Sequence, residues 1–344
     1  MWFEDLFGFT EQSPAQVRKN LSLEGTRLTS HINNKSFECG TFEIPTLNEL
    51  RISAAEIASE STERTTLTQV VGNVQNFHAA PENRRAMFQV ASQFNLLEMA
   101  APDVVPENGV GIYEHDYTQG PACAIAAGAG TVFRNYLVPV KNQTGQSADC
   151  QVDCLADIGK SLGNESQQLW QMQNGYAFAS QDGLSIITEQ LAKLDAKSID
   201  SLRSKLRVGI MWNTEVTLGN SAKNSSPPAN MKSQPARLVS QVYCSAVPVS
   251  YSPEPASAWE PFARLILEAT YEATLTAAVL NKASNGSNIV FLTMIGGGAF
   301  GNQSEWIIDA IGRAMRLHKD SGLDVRMVNY RHPNAMLDLL ASEF

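Results

Sequence analysis

The chain has 344 residues, 43% hydrophobic and 18% charged, with 26 Lys+Arg against 35 Asp+Glu for a net charge of −9. This is the composition of a folded globule with ample material for a core, in one large domain or two ordinary ones. The acidic balance argues against a nucleic-acid or anionic-membrane protein, whose footprint would be basic.

Residues 1–65 are polar and mixed, with an amphipathic helix expected near 47–60, and read as an N-terminal extension wrapped on a core. The opening Met1-Trp2-Phe3-Glu4-Asp5 lacks the basic-then-apolar pattern of a signal peptide, and no apolar run approaches 18 residues. The five cysteines (Cys39, Cys123, Cys150, Cys154, Cys244) are odd in number and lack zinc or redox spacing. They read as reduced thiols of a cytoplasmic protein, with no metal and no cofactor expected.

From about residue 66, short β-rich runs alternate with helical patterns. Thr66–Val74 and Ala86–Ser92 predict strands, Gly120–Tyr136 a helix, and Leu206–Val216 a strand ending in a polar loop, Gly219–Ala236. Leu238–Tyr251 predicts a strand and Pro261–Lys282 a helix; Asn288–Ile295 is apolar enough for a strand buried on both faces. A glycine cluster follows, then a helix, Gln303–His318, with Asn302 as N-cap and Glu305 at capping-box spacing, then a strand, Asp324–Tyr330. This is βαβ rhythm, so the fold is α/β with a largely parallel sheet.

Two segments carry chemistry. Gly296-Gly297-Gly298-Ala299-Phe300-Gly301, ahead of a helix at Asn302, offers unhindered amides and a positive dipole end to a phosphate. It is neither a Walker A loop, for want of the Lys, nor a dinucleotide fingerprint. A tight turn would need fewer glycines, each of which costs chain entropy. The second segment, Glu107 to Ala124, sets Glu114, His115, Asp116 and two tyrosines before Thr118-Gln119-Gly120-Pro121, where Pro121 suits the first turn of a helix of small residues. The carboxylates fit either a solvated loop or a general base beside a second anion-binding helix end. No second His or Cys completes a metal site, and no Gly-x-Ser-x-Gly elbow supports a serine triad.

Together these segments resemble a macrodomain, the ADP-ribose-binding α/β/α module. Ile289–Gly301 is similar to the family's strand and diphosphate loop; Val71-Gly72-Asn73-Val74, Phe88–Asn95 and Gly120-Pro121-Ala122-Cys123-Ala124-Ile125 are similar to its earlier motifs in order and spacing. Asn95-Leu96-Leu97-Glu98-Met99 followed by Asp116-Tyr117-Thr118-Gln119-Gly120-Pro121-Ala122 looks closest to the divergent hydrolases that include bacterial effectors removing ADP-ribose from arginine. The resemblance implies a three-layer α/β/α mixed sheet over 66–344, with residues 1–65 packed on it. It implies an ADP-ribosyl hydrolase acting on mono-ADP-ribosylated proteins, with a non-enzymatic ADP-ribose reader as the alternative; a hydrolase or transferase acting on a free phosphorylated metabolite is a third reading.

The implied ligand-binding residues are Asn73, Asn95, Thr118, Gln119, Gly120, Gly296, Gly297, Gly298, Ala299, Phe300, Gly301 and Asn302. Phe300 would pack against a ribose, and Asn95 would orient the distal ribose. The sequence departs from the family in two places. Asn73 stands where macrodomains carry the Asp that meets the adenine amine, and Ala122 where many hydrolases carry their catalytic Asp. The acid must then come from Asp116, Glu114 or Asp103, with Glu107 behind them.

Overall fold

The computed structural model describes residues 1–57, 63–218 and 236–344. A seven-stranded sheet forms its centre, built in chain order from β1 (Thr41–Glu43), β2 (Thr66–Val71), β3 (Met87–Ala91), β4 (Gly209–Glu215), β5 (Leu238–Cys244), β6 (Ile289–Leu292) and β7 (Asp324–Asn329). Across the sheet the order is β1-β4-β5-β3-β6-β7-β2. Strand β4 is antiparallel to both of its neighbours, and every pair from β5 to β2 is parallel. The parallel rhythm read from the sequence is therefore the greater part of a mixed sheet.

Side-chain alternation along β3 shows that both faces are covered. Phe88 stacks on His78 of the helix Val74–Ala79, with ring centroids 3.7 Å apart. The next residue, Gln89, reaches the opposite layer and donates to Thr274 Oγ1 (3.0 Å) of the helix Ala256–Asn285. Helices Gln119–Ala126 and Gly128–Tyr136 share the first face; Leu47–Ile57 and Ser304–Leu317 pack on Ala256–Asn285 on the second. The arrangement is the expected three-layer α/β/α.

The helix expected over 120–136 is two helices, because the segment after β4 interrupts its ladder: Gly128 N–H donates to Thr217 Oγ1 (3.0 Å), and Thr217 N–H to Ala126 O (2.9 Å). The helix expected near 47–60 is seen over Leu47–Ile57. Its last expected residues lie outside the described residues, as does the loop expected over Gly219–Ala236 apart from Ala236. Before β1 the chain forms helices Trp2–Phe7 and Pro14–Asn20 and a three-stranded antiparallel sheet over Leu21–Glu38. Their apolar side chains, among them Phe3, Phe7, Leu28 and Phe37, share a second core with Leu97, Tyr113, Val132 and Tyr136. Strand β1 and helix Leu47–Ile57 belong instead to the main layers.

Five free cysteines are present, four of them buried. Among the described residues no helix is long and apolar enough to cross a membrane, and no three metal-ligating side chains converge.

His78 gives the fold an acid-sensitive point. Its ring donates from Nδ1 to Val74 O (2.9 Å) and accepts at Nε2 from Gln241 Nε2 (3.0 Å), so it is held neutral. Burial lowers its pKa to about 4, whereas the unfolded ring titrates near ~6.5. The unfolded state therefore binds the proton first as pH falls. Stability from this site is complete above about pH 6.5 and declines by about 3 kcal/mol as pH drops to about 4. Urea midpoints from pH 7 to 4 should fall less steeply in His78→Gln than in the wild type. Equal slopes would show that this ring does not set the acid limb.

Candidate active site

Strands β3 and β6 pair only at Met87–Phe88 and then part. On the β3 side of the gap the side chain of Gln119 stands in for a neighbouring strand: its Oε1 accepts from Ala91 N (2.9 Å) and its Nε2 donates to Gln89 O (2.7 Å). One amide thus replaces two missing ladder bonds, and a cleft opens beyond it at the carboxyl ends of the parallel strands, where α/β sheets hold ligands. The helix Gln119–Ala126 is pressed onto the end of β3. A Cβ on Gly120 would stand 1.9 Å from Ala91 O, a backbone atom that cannot swing away. Gly120→Ala should therefore lower the denaturation midpoint by the equivalent of about 1–3 kcal/mol or more. Gly298→Ala, whose Cβ meets nothing within 4 Å, should leave stability unchanged; equal effects from the two would refute the close approach.

Across the cleft runs the triple-glycine loop, tied internally by Gly297 N to Met294 O (3.0 Å), Gly301 N to Gly298 O (3.0 Å) and Asn302 N to Gly296 O (2.9 Å). The N–H groups of Gly298, Ala299 and Phe300 meet no protein acceptor among the described residues. Asn302 does not cap the following helix. Its Nδ2 donates to Val247 O (2.9 Å) and Gly296 O (3.3 Å), bracing the loop from below, while Gln303 takes the N-cap position without a side-chain bond. The capping box with Glu305 is consequently not formed.

The cleft comprises two cavities. The smaller, about 270 Å³, is lined by the glycine loop together with Ser92, Glu98, Tyr176 and Tyr251. The larger, about 520 Å³, is lined by Gly72, Asn73, Glu114, Tyr117 and Tyr330. Asp116, Thr118, Gln119 and Thr293 line both, so the two lie end to end with Asp116 at their junction. Asp116 is held there by accepting from Thr118 N at Oδ1 (2.8 Å).

Among the residues singled out in the sequence, the structure brings Asn73, Glu114, Asp116, Thr118, Gln119, Gly120, Gly296, Gly298, Ala299 and Phe300 to this cleft. Gly297, Gly301 and Asn302 support it from behind. Asn95 does not line it: fully buried, its Nδ2 donates to Gln151 Oε1 (2.8 Å) and its Oδ1 accepts from Leu97 N (3.1 Å), which closes a loop below the site. Asp103 and Glu107 are exposed elsewhere, and Glu107 accepts from Ala148 N (3.0 Å). Glu114 is engaged by Trp2 N (3.2 Å), and Asn73 Oδ1 by Gln75 N (2.9 Å) as the N-cap of Val74–Ala79. Ala122 lines the larger cavity and brings no carboxylate.

Two groups in the cleft escape sequence reasoning. Tyr176, Tyr251 and Phe300 form an aromatic wall, each pair 5.2–5.7 Å apart between ring centroids. Burial above all raises the Tyr176 phenol pKa, with Tyr251 and Asp116 adding to the rise, and Asp116 lines the same cavity as the three rings. Beneath the smaller cavity Glu98 and Arg134 form a fully buried ion pair (2.9 Å), with Arg134 lying over the Tyr243 ring at 3.6 Å. Burial pushes the Glu98 carboxyl up to about 7 against the pull of Arg134. A signal for this pair is in the sequence: each is a lone charge inside an apolar stretch, Leu96-Leu97-Glu98-Met99 and Val132-Phe133-Arg134. The tyrosines carry none.

No protein-family model and no curated protein matches the sequence. Solved structures similar to it include poly(ADP-ribose) glycohydrolase from Deinococcus radiodurans in complex with ADP-ribose, at 10% identity and a TM-score of 0.43, covering 88% of this chain and 93% of that one. Poly(ADP-ribose) glycohydrolase from Thermomonospora curvata is similar at 11% identity and a TM-score of 0.42, covering 96% and 97%. The likeness is distant, and the chemistry of the cleft stands on its own residues.

Proposed function

We propose that the cleft binds the ADP-ribose of mono-ADP-ribosylated proteins and hydrolyses the bond at the distal ribose C1″. One observation carries this reading. Two connected cavities meet at a carboxylate, with unpartnered loop amides on one side and a helix N-terminus on the other. Their volumes suit a nucleotide joined to a second sugar. The larger cavity would take the adenosine, and the amides of Gly298–Phe300 with the start of helix Gln119–Ala126 would hold the diphosphate. The distal ribose would lie in the smaller cavity against Phe300.

Cleavage at C1″ develops oxocarbenium-like positive charge, which the Asp116 carboxylate would stabilise. Asp116 would also take a proton from the attacking water as the C1″–O bond forms; the C1″ bond to the side chain breaks with its electron pair leaving on the side-chain atom, and the proton held by Asp116 then passes to that leaving group. The aromatic wall beside this acid favours arginine as the side chain released. A planar guanidinium packs on aromatic faces and pairs with a carboxylate, whereas an ester-linked Glu or an ether-linked Ser offers neither contact. Cytoplasmic residence belongs to the same proposal.

Calorimetry with ADP-ribose, AMP and inositol phosphates tests the ligand, and incubation with proteins ADP-ribosylated on Arg, Glu or Ser tests the reaction. Binding of ADP-ribose with loss of label from arginine is the expected result. Retention of label on all three proteins would leave a binding module, and no affinity for ADP-ribose would remove the reading.

A further inference from the structure

Glu11, in the N-terminal segment, docks into a glycine-lined nest next to the acid. Its Oε1 accepts from Val110 N (3.1 Å) and from the Tyr136 hydroxyl (2.5 Å), and its Oε2 from Gly111 N (2.6 Å). The glycines on either side of Val110 exist to admit it: a Cβ on Gly109 or Gly111 would meet Glu11 Oε2 at 2.4 or 2.8 Å. These amides open a single-turn helix, Gly111–His115, of the tight i→i+3 type. Asp116 is the residue that ends it, donating its N–H to Tyr113 O (3.2 Å). The middle of the turn is fixed from the core, where the Tyr113 hydroxyl accepts from Glu98 N (3.0 Å). A charged acceptor therefore caps one end of a five-residue rod whose other end carries the carboxylate at the junction of the cavities.

We propose that Glu11 is a positioning residue for Asp116, so that the N-terminal segment is a working part of the active site. The proposal rests on the role given to Asp116 above. Charge-assisted bonds to backbone amides are the stronger kind and fix geometry, and a carboxylate displaced by about 1 Å can cost up to about 10²-fold in rate.

The test compares Glu11→Ala with Ser13→Ala, a variant of the same segment that loses only the cap bond from Gln16 N to Ser13 Oγ (3.3 Å). Two readouts are taken: kcat and KM for ADP-ribose release, and amide hydrogen exchange over residues 111–118. Glu11→Ala should lower kcat by about tenfold to 10²-fold, leave ADP-ribose affinity within a few fold, and speed exchange at Asp116–Thr118 but not in β3 or β6. Ser13→Ala should change none of these. Gly111→Ala, whose methyl displaces the carboxylate, should reproduce Glu11→Ala and add nothing to it in the double variant. Should Glu11→Ala fail to fold, Glu11→Gln carries the same comparison with the shape retained.

An unchanged kcat in an active protein, or a fall matched by lost ADP-ribose binding, overturns the proposal. If the wild type releases no ADP-ribose from any labelled protein, the role of Asp116 falls instead. The exchange data then decide alone whether Glu11 holds this turn, and unchanged exchange overturns that too.

Discussion

Asp116→Asn is expected to bind ADP-ribose within a few fold of the wild type while releasing it from arginine-modified protein about 10²–10⁴ times more slowly, the usual worth of general acid–base help. The substitution keeps the shape of the side chain and an oxygen for Thr118 N, so the loop should stand. It removes the negative charge and the proton acceptor, the two properties the reaction needs. Calorimetry and a single-turnover release assay measure the halves separately. Release within a few fold of the wild type would take Asp116 out of the chemistry; loss of binding in parallel would make it a structural residue of the cleft.

Arg134→Met is expected to destabilise the fold by about 3–5 kcal/mol, since it strands the buried Glu98 without its counter-charge. The carboxyl would answer by taking up a proton, so the loss should grow as pH rises, where keeping that proton becomes costly. Adding Glu98→Leu to Arg134→Met should recover part of the loss, because a buried pair replaced by apolar groups leaves no charge unmatched. Urea unfolding of the two singles and the double is the measurement. Singles costing under about 1 kcal/mol, or losses that simply add, would mean that the pair does not hold this region together.

How much of this was legible in the sequence follows from how local each signal is. Strand β6 announces itself because a strand buried on both faces is apolar throughout, β3, β5 and β7 because apolar and β-branched residues dominate or alternate along them, and the helix Ser304–Leu317 because an amphipathic helix must repeat its apolar stripe. The glycine loop is legible for the same reason, three glycines being costly unless backbone is needed there. Asn302 misled because a cap and a brace use the same side chain, and only the position of Val247 O decides between them. Asn95 misled likewise, since a buried amide closing a loop looks in sequence like one offered to a ligand. Tyr176 and Tyr251 could not be read at all: they reach Phe300 from distant segments, and no spacing encodes that meeting.

The substitution of a glutamine amide for two rungs of the sheet has a consequence for specificity. Gln119 is one of four residues shared by the two halves of the cleft, and the Cys123 sulfur lies 3.2 Å from its Nε2. Exchanging Gln119 would therefore both reshape the groove and leave the Ala91 N–H and the Gln89 carbonyl of β3 without their partners, so the depth of the groove and the integrity of the sheet edge are tied to one side chain.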